Sequence, residues 1–508
     1  MVNQALPKLA VANSRSVAIH FFPRPVLAGQ AQARSIGEMK ISFSTTPDAP
    51  ACAVRFFSTA ERAKLPKGVT EAEFSFQANA RVFLHAEQML CVGVGDPRAV
   101  VADTIRRAAG AAAMVLRKAG RPRVSLDLTG WPQFAAAAVE GLVLADYRYE
   151  DFKTKKTTPL DRVTIVVPKV DVAAARREGE RAQVVAEMTN LSRRVANQPG
   201  NVVYPATLAE QAEWHAKAFG LRCTVLDEKK LKAGKFGGIL AVGQGSARPP
   251  RLIILEHLGG AKHAGKAKAQ APLVLVGKAV TFDTGGISIK PPADMENMIW
   301  DKCGGCAVLG AMLALAKLKV KRHVIGLIPA AENMPSANAY RPGDIVTCYD
   351  GKHVEIVNTD AEGRMLLADC IAYARRKLNA AAIVDAATLT GACGVALGEE
   401  AAGLWSTDDH LRDRLLAASQ AAGERLWPMP LYPEYDDQIR SEMALIKNSG
   451  GRLGGACTAA AFLKTFAEST PWAHLDIAYP ARTTKELPWL ARGATGFGVR
   501  TMVNLAEE

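Results

Sequence analysis

No run of eighteen apolar residues occurs in the 508-residue chain, so a helical membrane span is not expected. The N-terminus also lacks the charged, apolar and small-residue order of a secretory signal, and a soluble, cytoplasmic protein with no membrane partner is the expectation. Residues 1–37 contain no Asp or Glu but carry Lys8, Arg15, Arg24 and Arg34, a composition that a short basic extension explains better than an organelle transit peptide. The nine cysteines are odd in number and fall at no disulfide-framework spacing, which fits a reducing compartment. There is no HExxH motif, and the nine histidines are scattered, which argues against a single-zinc peptidase with imidazole ligands.

What is present begins with size. At 49% hydrophobic the chain is too long for one compact core and suits two or three domains. Its formal net charge of +13 would permit nucleic acid or anionic lipid as a partner. The lysine clusters, Lys153, Lys155 and Lys156 in "FKTKKTT" and Lys262, Lys266 and Lys268 in "GGAKHAGKAKAQAP", read first as solvated loops.

Residues 89–148 alternate strand and helix: "MLCVGVGD", "AVVADTIRRAAGAAAMVLRKAG", "RVSLDL" and "FAAAAVEGLVLADYRY". This is an α/β pattern. Gly93 and Gly95 begin a dinucleotide fingerprint, but Arg98 stands where its third glycine belongs, so a tight turn is the better reading. A long charged helix from Asp171 to about Ala196 is closed by "NQPGN". The boundaries expected are an accessory α/β, Rossmann-like domain at 1–170, a linker helix at 171–198 and a catalytic domain at 199–508. Thr207 and Glu210 in "TLAE" have capping-box spacing for the next helix. Beyond it, "RLIILEHL", "PLVLVGKAV", "HVIGLIPAAEN", "HVEIVN", "AAAIVDAATL" and "HLDIA" alternate with "CAVLGAMLALAKL" and "RMLLADCIAYARRKL". That order predicts a large mixed or parallel central sheet flanked by helices.

The densest charge lies in "VNTDAEGRML", between a strand-like and a helix-like run. Asp360 and Glu362 are then on a loop at the carboxyl end of a strand, where open α/β sheets bind ligands. They converge most easily if the loop is extended, and either Arg364 or a divalent cation must offset their repulsion. The plain alternative is a helix N-terminus whose acids favour its dipole. Upstream, "GKAVTFDTGGISIK" adds Lys278, Asp283 and Lys290, and "MIWDKCGG" adds Asp301. Four acids and two lysines at strand ends exceed what turns need for solvation. A carboxylate-rich site for two hard or borderline divalent ions fits them, with a lysine ligand only if burial beside a cation removes its proton.

Together "NTDAEGRM", "VGKAVTFDTGGISIK", "WDKCGGCA", "AAENMPS", "RPGDIV", "ATLTGA", "GGRLGGACTAAAFL" and "WAHLDIA" resemble the signature set of the cytosolic leucyl aminopeptidases, dinuclear metallopeptidases. The likeness runs from about residue 197 to the C-terminus and thins to "YRYEDFKTKK" in the first domain. It implies one ion, manganese or zinc, on Asp283, Asp360 and Glu362 and a second on Lys278, Asp283, Asp301 and Glu362. Lys290 and Arg364 match the catalytic positions, with bicarbonate bound at Arg364, and the substrate's free α-amine binds metal as a neutral amine. Met298, Thr388, Leu389, Gly391 and Ala478 match the first-residue pocket, although Met298 and Leu389 are equally suited to core packing. The resemblance further implies peptide substrates, a preference for leucine or another apolar first residue, and a homohexamer of two trimers.

Two departures bear on this. Lys302 replaces the apolar residue, usually Met, that follows the metal-binding aspartate, and its charge would alter metal affinity. Tyr479 stands where the family usually has Gly. Cys303 and Cys306 form a lone C-x-x-C that small-residue packing explains better than a redox role. The rival function is a DNA-binding architectural protein, as a second role or instead of the first. The intact set of charged residues argues against an inactive relative.

Overall fold

The computed structural model describes residues 39–508 except 50, 68 and 260–270. Lys8, Arg15, Arg24, Arg34, Lys262, Lys266 and Lys268 therefore lie outside the described residues. The first sheet runs Lys40–Ser44, Arg162–Val166, Arg123–Asp127, Cys52–Ser58, Met89–Gly95 and Arg81–Leu84 across its width. All neighbours are parallel except the last pair. Crossovers between parallel strands need helices, and Ala102–Lys118 and Ala135–Asp146 supply two of them. These two helices meet at glycine: a Cβ on Gly141 would come within 2.0 Å of the Arg106 carbonyl oxygen. Gly95 closes its strand at φ +80°, so "GVGD" does serve a tight turn.

The second sheet runs Leu426–Pro428, Ala402–Ser406, Trp472–Asp476, Ala382–Ala387, Leu273–Gly277, Val324–Asn333, Arg251–His257 and Arg222–Leu226, with Ala279–Asp283 also paired to Val324–Asn333. Its centre is parallel, Ala402–Ser406 and Arg251–His257 join that centre antiparallel, Arg222–Leu226 is antiparallel to its neighbour and Leu426–Pro428 parallel to its own, so it is the mixed sheet expected. Side-chain alternation divides its faces. Val274, Val276, Ile325, Leu327 and Ile383 join the core that holds helix Gly363–Arg376. Gly326, of opposite parity, faces Val308 and Met312 of helix Cys303–Leu318. The central strands are thus covered on both sides. The stretch Met295–Leu318 has the length and hydropathy to cross a membrane, but 89% of its most apolar window is buried within the protein, as in a core helix.

Helix Val172–Asn197 packs against both Ala135–Asp146 and Cys303–Leu318, joining the two layers, and ends two residues before Pro199. Two sequence expectations fail nearby and beyond. The next helix starts at Pro205, not after Thr207, because proline fits the first helical position without losing a hydrogen bond. Thr207 instead lies inside the first turn, where its hydroxyl accepts the Tyr204 N–H at 3.0 Å. "HVEIVN" contributes only His353–Glu355, in a separate three-stranded sheet with Ile345–Thr347 and Ile446–Lys447. Its alternation is that of a strand with one buried face, whereas the central strands are apolar throughout.

Gly141→Ala should lower the unfolding free energy by about 1–3 kcal/mol through overpacking. Gly130→Ala, where an added Cβ meets nothing within 4 Å, should cost less than about 0.5 kcal/mol. Denaturant titration of the two variants measures both.

Candidate active site

The site forms where a strand is interrupted. Leu273–Gly277 and Ala279–Asp283 are separated by Lys278 alone. The Lys278 N–H donates to the Ala386 carbonyl at 3.1 Å, and its own carbonyl accepts the Gly305 N–H at 2.6 Å. Such close contact between strand and helix start needs glycine. A Cβ on Gly277 would lie 2.4 Å from the Gly304 oxygen, and one on Gly304 2.1 Å from the Ala386 oxygen. The backbone turn sends the Lys278 side chain inward, where it is buried.

There Lys278 Nζ pairs with Asp301 Oδ1 at 2.8 Å and Glu362 Oε1 at 2.7 Å, and donates to the Thr388 carbonyl at 2.7 Å. Lys290 Nζ pairs with Asp283 Oδ2 at 2.8 Å and with Asp360. All six charged residues singled out at strand ends are thus joined in two ion-paired groups. Burial disfavours the Lys278 ammonium, but Asp301, Glu362 and Asp283 outweigh it and hold the pKa above the usual lysine value. Lys290 is raised in the same way, by Asp283, Glu362 and Asp360 against burial. Burial pushes Asp301 up to about 8, and burial with the Glu362 charge pushes Asp360 up to about 6. Asp283 is likewise raised by burial and by Glu362. Glu362, although buried, is held below its ordinary value by Lys278 and Lys290.

The loop with Asp360 and Glu362 is not extended. Ala361 N–H closes a turn onto the Asn358 carbonyl at 3.2 Å, and Glu362 is already helical at φ −75°, ψ −39°. Side chains that sequence reasoning passed over hold the turn in place. Asn448 Oδ1 accepts the Val357 N–H at 2.9 Å, and its Nδ2 donates to the Asn358 carbonyl at 2.7 Å. The Thr359 carbonyl accepts from Tyr340 Oη at 2.8 Å and Asn333 Nδ2 at 3.0 Å. Asn333 Nδ2 also donates to Asp283 Oδ1 at 2.8 Å, across a register in which Asp283 and Asn333 are direct partners. Arg364 Nη1 donates to the Asn448 carbonyl at 2.6 Å, while its buried Nε has no hydrogen-bond partner among the described residues. Burial lowers the Arg364 pKa to about 10.

Of the pocket residues expected, Thr388 touches the charged centre directly, its hydroxyl donating to Asp301 Oδ1 at 2.7 Å. The Met298 carbonyl accepts the Asp301 N–H at 3.2 Å, and the Met298 side chain is half-buried. Leu389 and Ala478 are brought together by Asp476, whose Oδ1 accepts both of their N–H groups at 3.2 Å. Gly391 starts the helix Gly391–Leu397. Leu389 also packs against the core of the second sheet, so its packing role holds as well. Asp476 and Asn448 carried no signal beyond lying in or beside quoted motifs.

Lys302 does not sit against the carboxylates. Its buried Nζ donates to the Gln198 carbonyl at 2.9 Å and to that of Ile299, so it makes its hydrogen bonds to backbone oxygens, while the Asp301 charge acts on it only without an ion pair. Cys303 and Cys306 are buried, and burial raises both thiols, Cys306 to about 12, which suits packing rather than redox chemistry. Lys153, Lys155 and Lys156 are exposed on a loop.

Residues 190–503 match the model of the catalytic domain of the cytosol aminopeptidase family, and residues 69–156 match that of its N-terminal domain. A probable cytosol aminopeptidase of Solibacter usitatus is 46% identical over 429 residues, covering 83% of this chain and 87% of its own. One from Syntrophotalea carbinolica is 44% identical over 436 residues, covering 84% and 86%. Among solved structures, a mutant of tomato leucine aminopeptidase is similar with a TM-score of 0.82 at 29% identity, over 93% of this chain and 97% of its own. The bottromycin maturation enzyme BotP in complex with Mn gives a TM-score of 0.81 at 34% identity, over 90% and 99%.

Burial lowers the Lys302 pKa from 10.5 to about 8. A group depressed by folding contributes stability that is full above its unfolded pKa and is lost as the pH falls through its folded one. Wild type should therefore gain stability relative to Lys302→Met as the pH rises from about 7 to 10.5, in denaturant titrations across that range.

Proposed function

This chain belongs to the cytosol aminopeptidase family of metal-dependent enzymes, and we propose that it removes the first residue of peptides, leucine or another apolar one, using two divalent cations, Mn or Zn. One observation carries the reading: Asp301 Oδ2 is buried and without a hydrogen-bond partner among the described residues, in a cluster where ligand oxygens of Asp283, Asp301 and Glu362 lie within 4.8 Å of one another. Buried acids that close repel unless positive charge lies among them. Lys278 and Lys290 give two charges against four carboxylates, leaving a deficit that cations suit. An oxygen-rich donor set with one amine fits hard or borderline ions.

On this reading Asp283, Asp360 and Glu362 hold one ion and Lys278, Asp283, Asp301 and Glu362 the other. When bound, the ions supply Lewis acidity and lower the pKa of an attacking water. Lys278, kept protonated here by Asp301 and Glu362, would serve such an ion as a neutral amine, its proton passing to solvent. Lys290 keeps its proton and stabilises the charge that develops on the scissile carbonyl oxygen. Arg364, fixed by Nη1 with Nε unsatisfied, holds a planar anion, bicarbonate, able to pass a proton. Thr388, Leu389, Gly391, Ala478 and Met298 receive the first side chain. The motif set supports a cytoplasmic homohexamer, with residues 1–170 as an accessory module, 171–198 as the linker helix and 199–508 as the catalytic domain.

The purified protein should release the first residue from leucyl arylamides, lose that activity on thorough chelation and recover it with Mn or Zn. Survival of activity in metal-stripped Asp360→Asn protein would overturn the two-metal mechanism. Lys290→Met should lower kcat by roughly 10²–10³ while metal analysis still finds the ions bound.

A further inference from the structure

Asp476 ends the strand Trp472–Asp476 and is fully buried. Its Oδ1 accepts the N–H groups of Leu389 at 3.2 Å, Thr390 at 3.4 Å and Ala478 at 3.2 Å, and its Oδ2 accepts the Thr390 hydroxyl at 2.6 Å. One carboxylate therefore ties the segment 388–391 to the segment after the strand. Charge-assisted hydrogen bonds of this kind are the strong ones, and they leave both backbones little freedom. The Thr390 hydroxyl also caps helix Gly391–Leu397 by accepting the Cys393 N–H at 3.0 Å. The same acid thus sets where that helix begins and where the chain leaves Ala478.

Tyr479 is the next residue. Its ring lies against Gly394, where a Cβ would come within 1.9 Å of Cε2 and 2.0 Å of Cδ2. Only glycine leaves that space to an aromatic ring. Gly394 stands three residues after Gly391, and residues three apart share one helix face. The ring therefore packs on the helix that Gly391 begins, three residues on from it, while the space beside Gly391 itself is open, a Cβ there meeting nothing within 4 Å. A glycine at 479 would leave this volume open.

We propose that Tyr479, seated by the Asp476 clamp, sets the size of the first residue the enzyme accepts, admitting aliphatic side chains up to leucine and discriminating against aromatic ones. This rests on the first-residue pocket assigned under the proposed function. Close-packed walls do not yield to an extra ring without moving, and pocket contacts of this size discriminate by about 10–200-fold.

The test uses the full-length, metal-loaded protein with leucyl and phenylalanyl p-nitroanilides, and calorimetric binding of leucine and phenylalanine hydroxamates as a readout without turnover. In Tyr479→Gly and Tyr479→Ala, the phenylalanine-to-leucine ratio of kcat/KM should rise at least about tenfold, with hydroxamate affinities shifting the same way. Asp476→Asn, which cannot accept all four bonds, should move both ratios in the same direction at unchanged metal content. Ratios within twofold of wild type in both Tyr479 variants overturn the proposal, as does an Asp476→Asn protein that loses metal without changing preference. A wild type that turns over neither substrate overturns the aminopeptidase reading instead, and the hydroxamate ratios then decide the role of Tyr479.

Discussion

A lysine ammonium buried between two carboxylates is tolerable only if each charge is answered at close range, because its desolvation is large and removing one partner leaves the rest uncompensated. The chain meets that condition at Lys278 by interrupting a strand for a single residue and bringing a helix start within backbone contact of it. Gly277, Gly304 and Gly305 follow from that approach, since each has no room for a Cβ. So does Gly363, where a Cβ would lie 2.7 Å from Lys278 Cε. The glycine inside "AEGR" and those inside "DKCGGCA" therefore serve one lysine.

Much of the architecture was readable because the two periodicities differ. Met89–Gly95 and Leu273–Gly277 read as strands, and Ala102–Lys118 and Gly363–Arg376 as helices, from apolar spacing alone. "HVEIVN" was also readable as a strand, but not as a member of a sheet apart from the central one, since alternation reports one buried face and not which core that face joins. The helix after "NQPGN" was displaced because capping-box spacing and a proline competed for the same start, and the fixed φ of proline prevailed.

The charged residues of the site stood out because acids and lysines at strand ends are conspicuous, and the motif set tied them to a family. Their supports did not stand out. Asn333, Asn448 and Asp476 act by satisfying backbone groups of distant loops, and an amide or acid so employed has no spacing rule. Lys302 illustrates the converse. Its neighbour in sequence suggested a charge acting on the metal site, yet the side chain turns to the carbonyls of Gln198 and Ile299. The first domain also reaches the site through such contacts. Asn197 takes a hydrogen bond from Trp300, beside Asp301, and gives one to Tyr147 of the first layer.

The bonds that shape the site are long in sequence. Thr388 to Asp301 and Leu389 to Asp476 each close 87 residues, and Trp300 to Asn197 closes 103. Loop closure on that scale is entropically unfavourable until the intervening strands are paired, and contacts of this kind form late and together. A chain still emerging during synthesis can carry the whole of "VNTDAEGRML" before Asp476 exists to tie Leu389 and Thr390 in place. The distance along the chain thus acts as a delay, so that these ties close only once the sheet that holds them is complete.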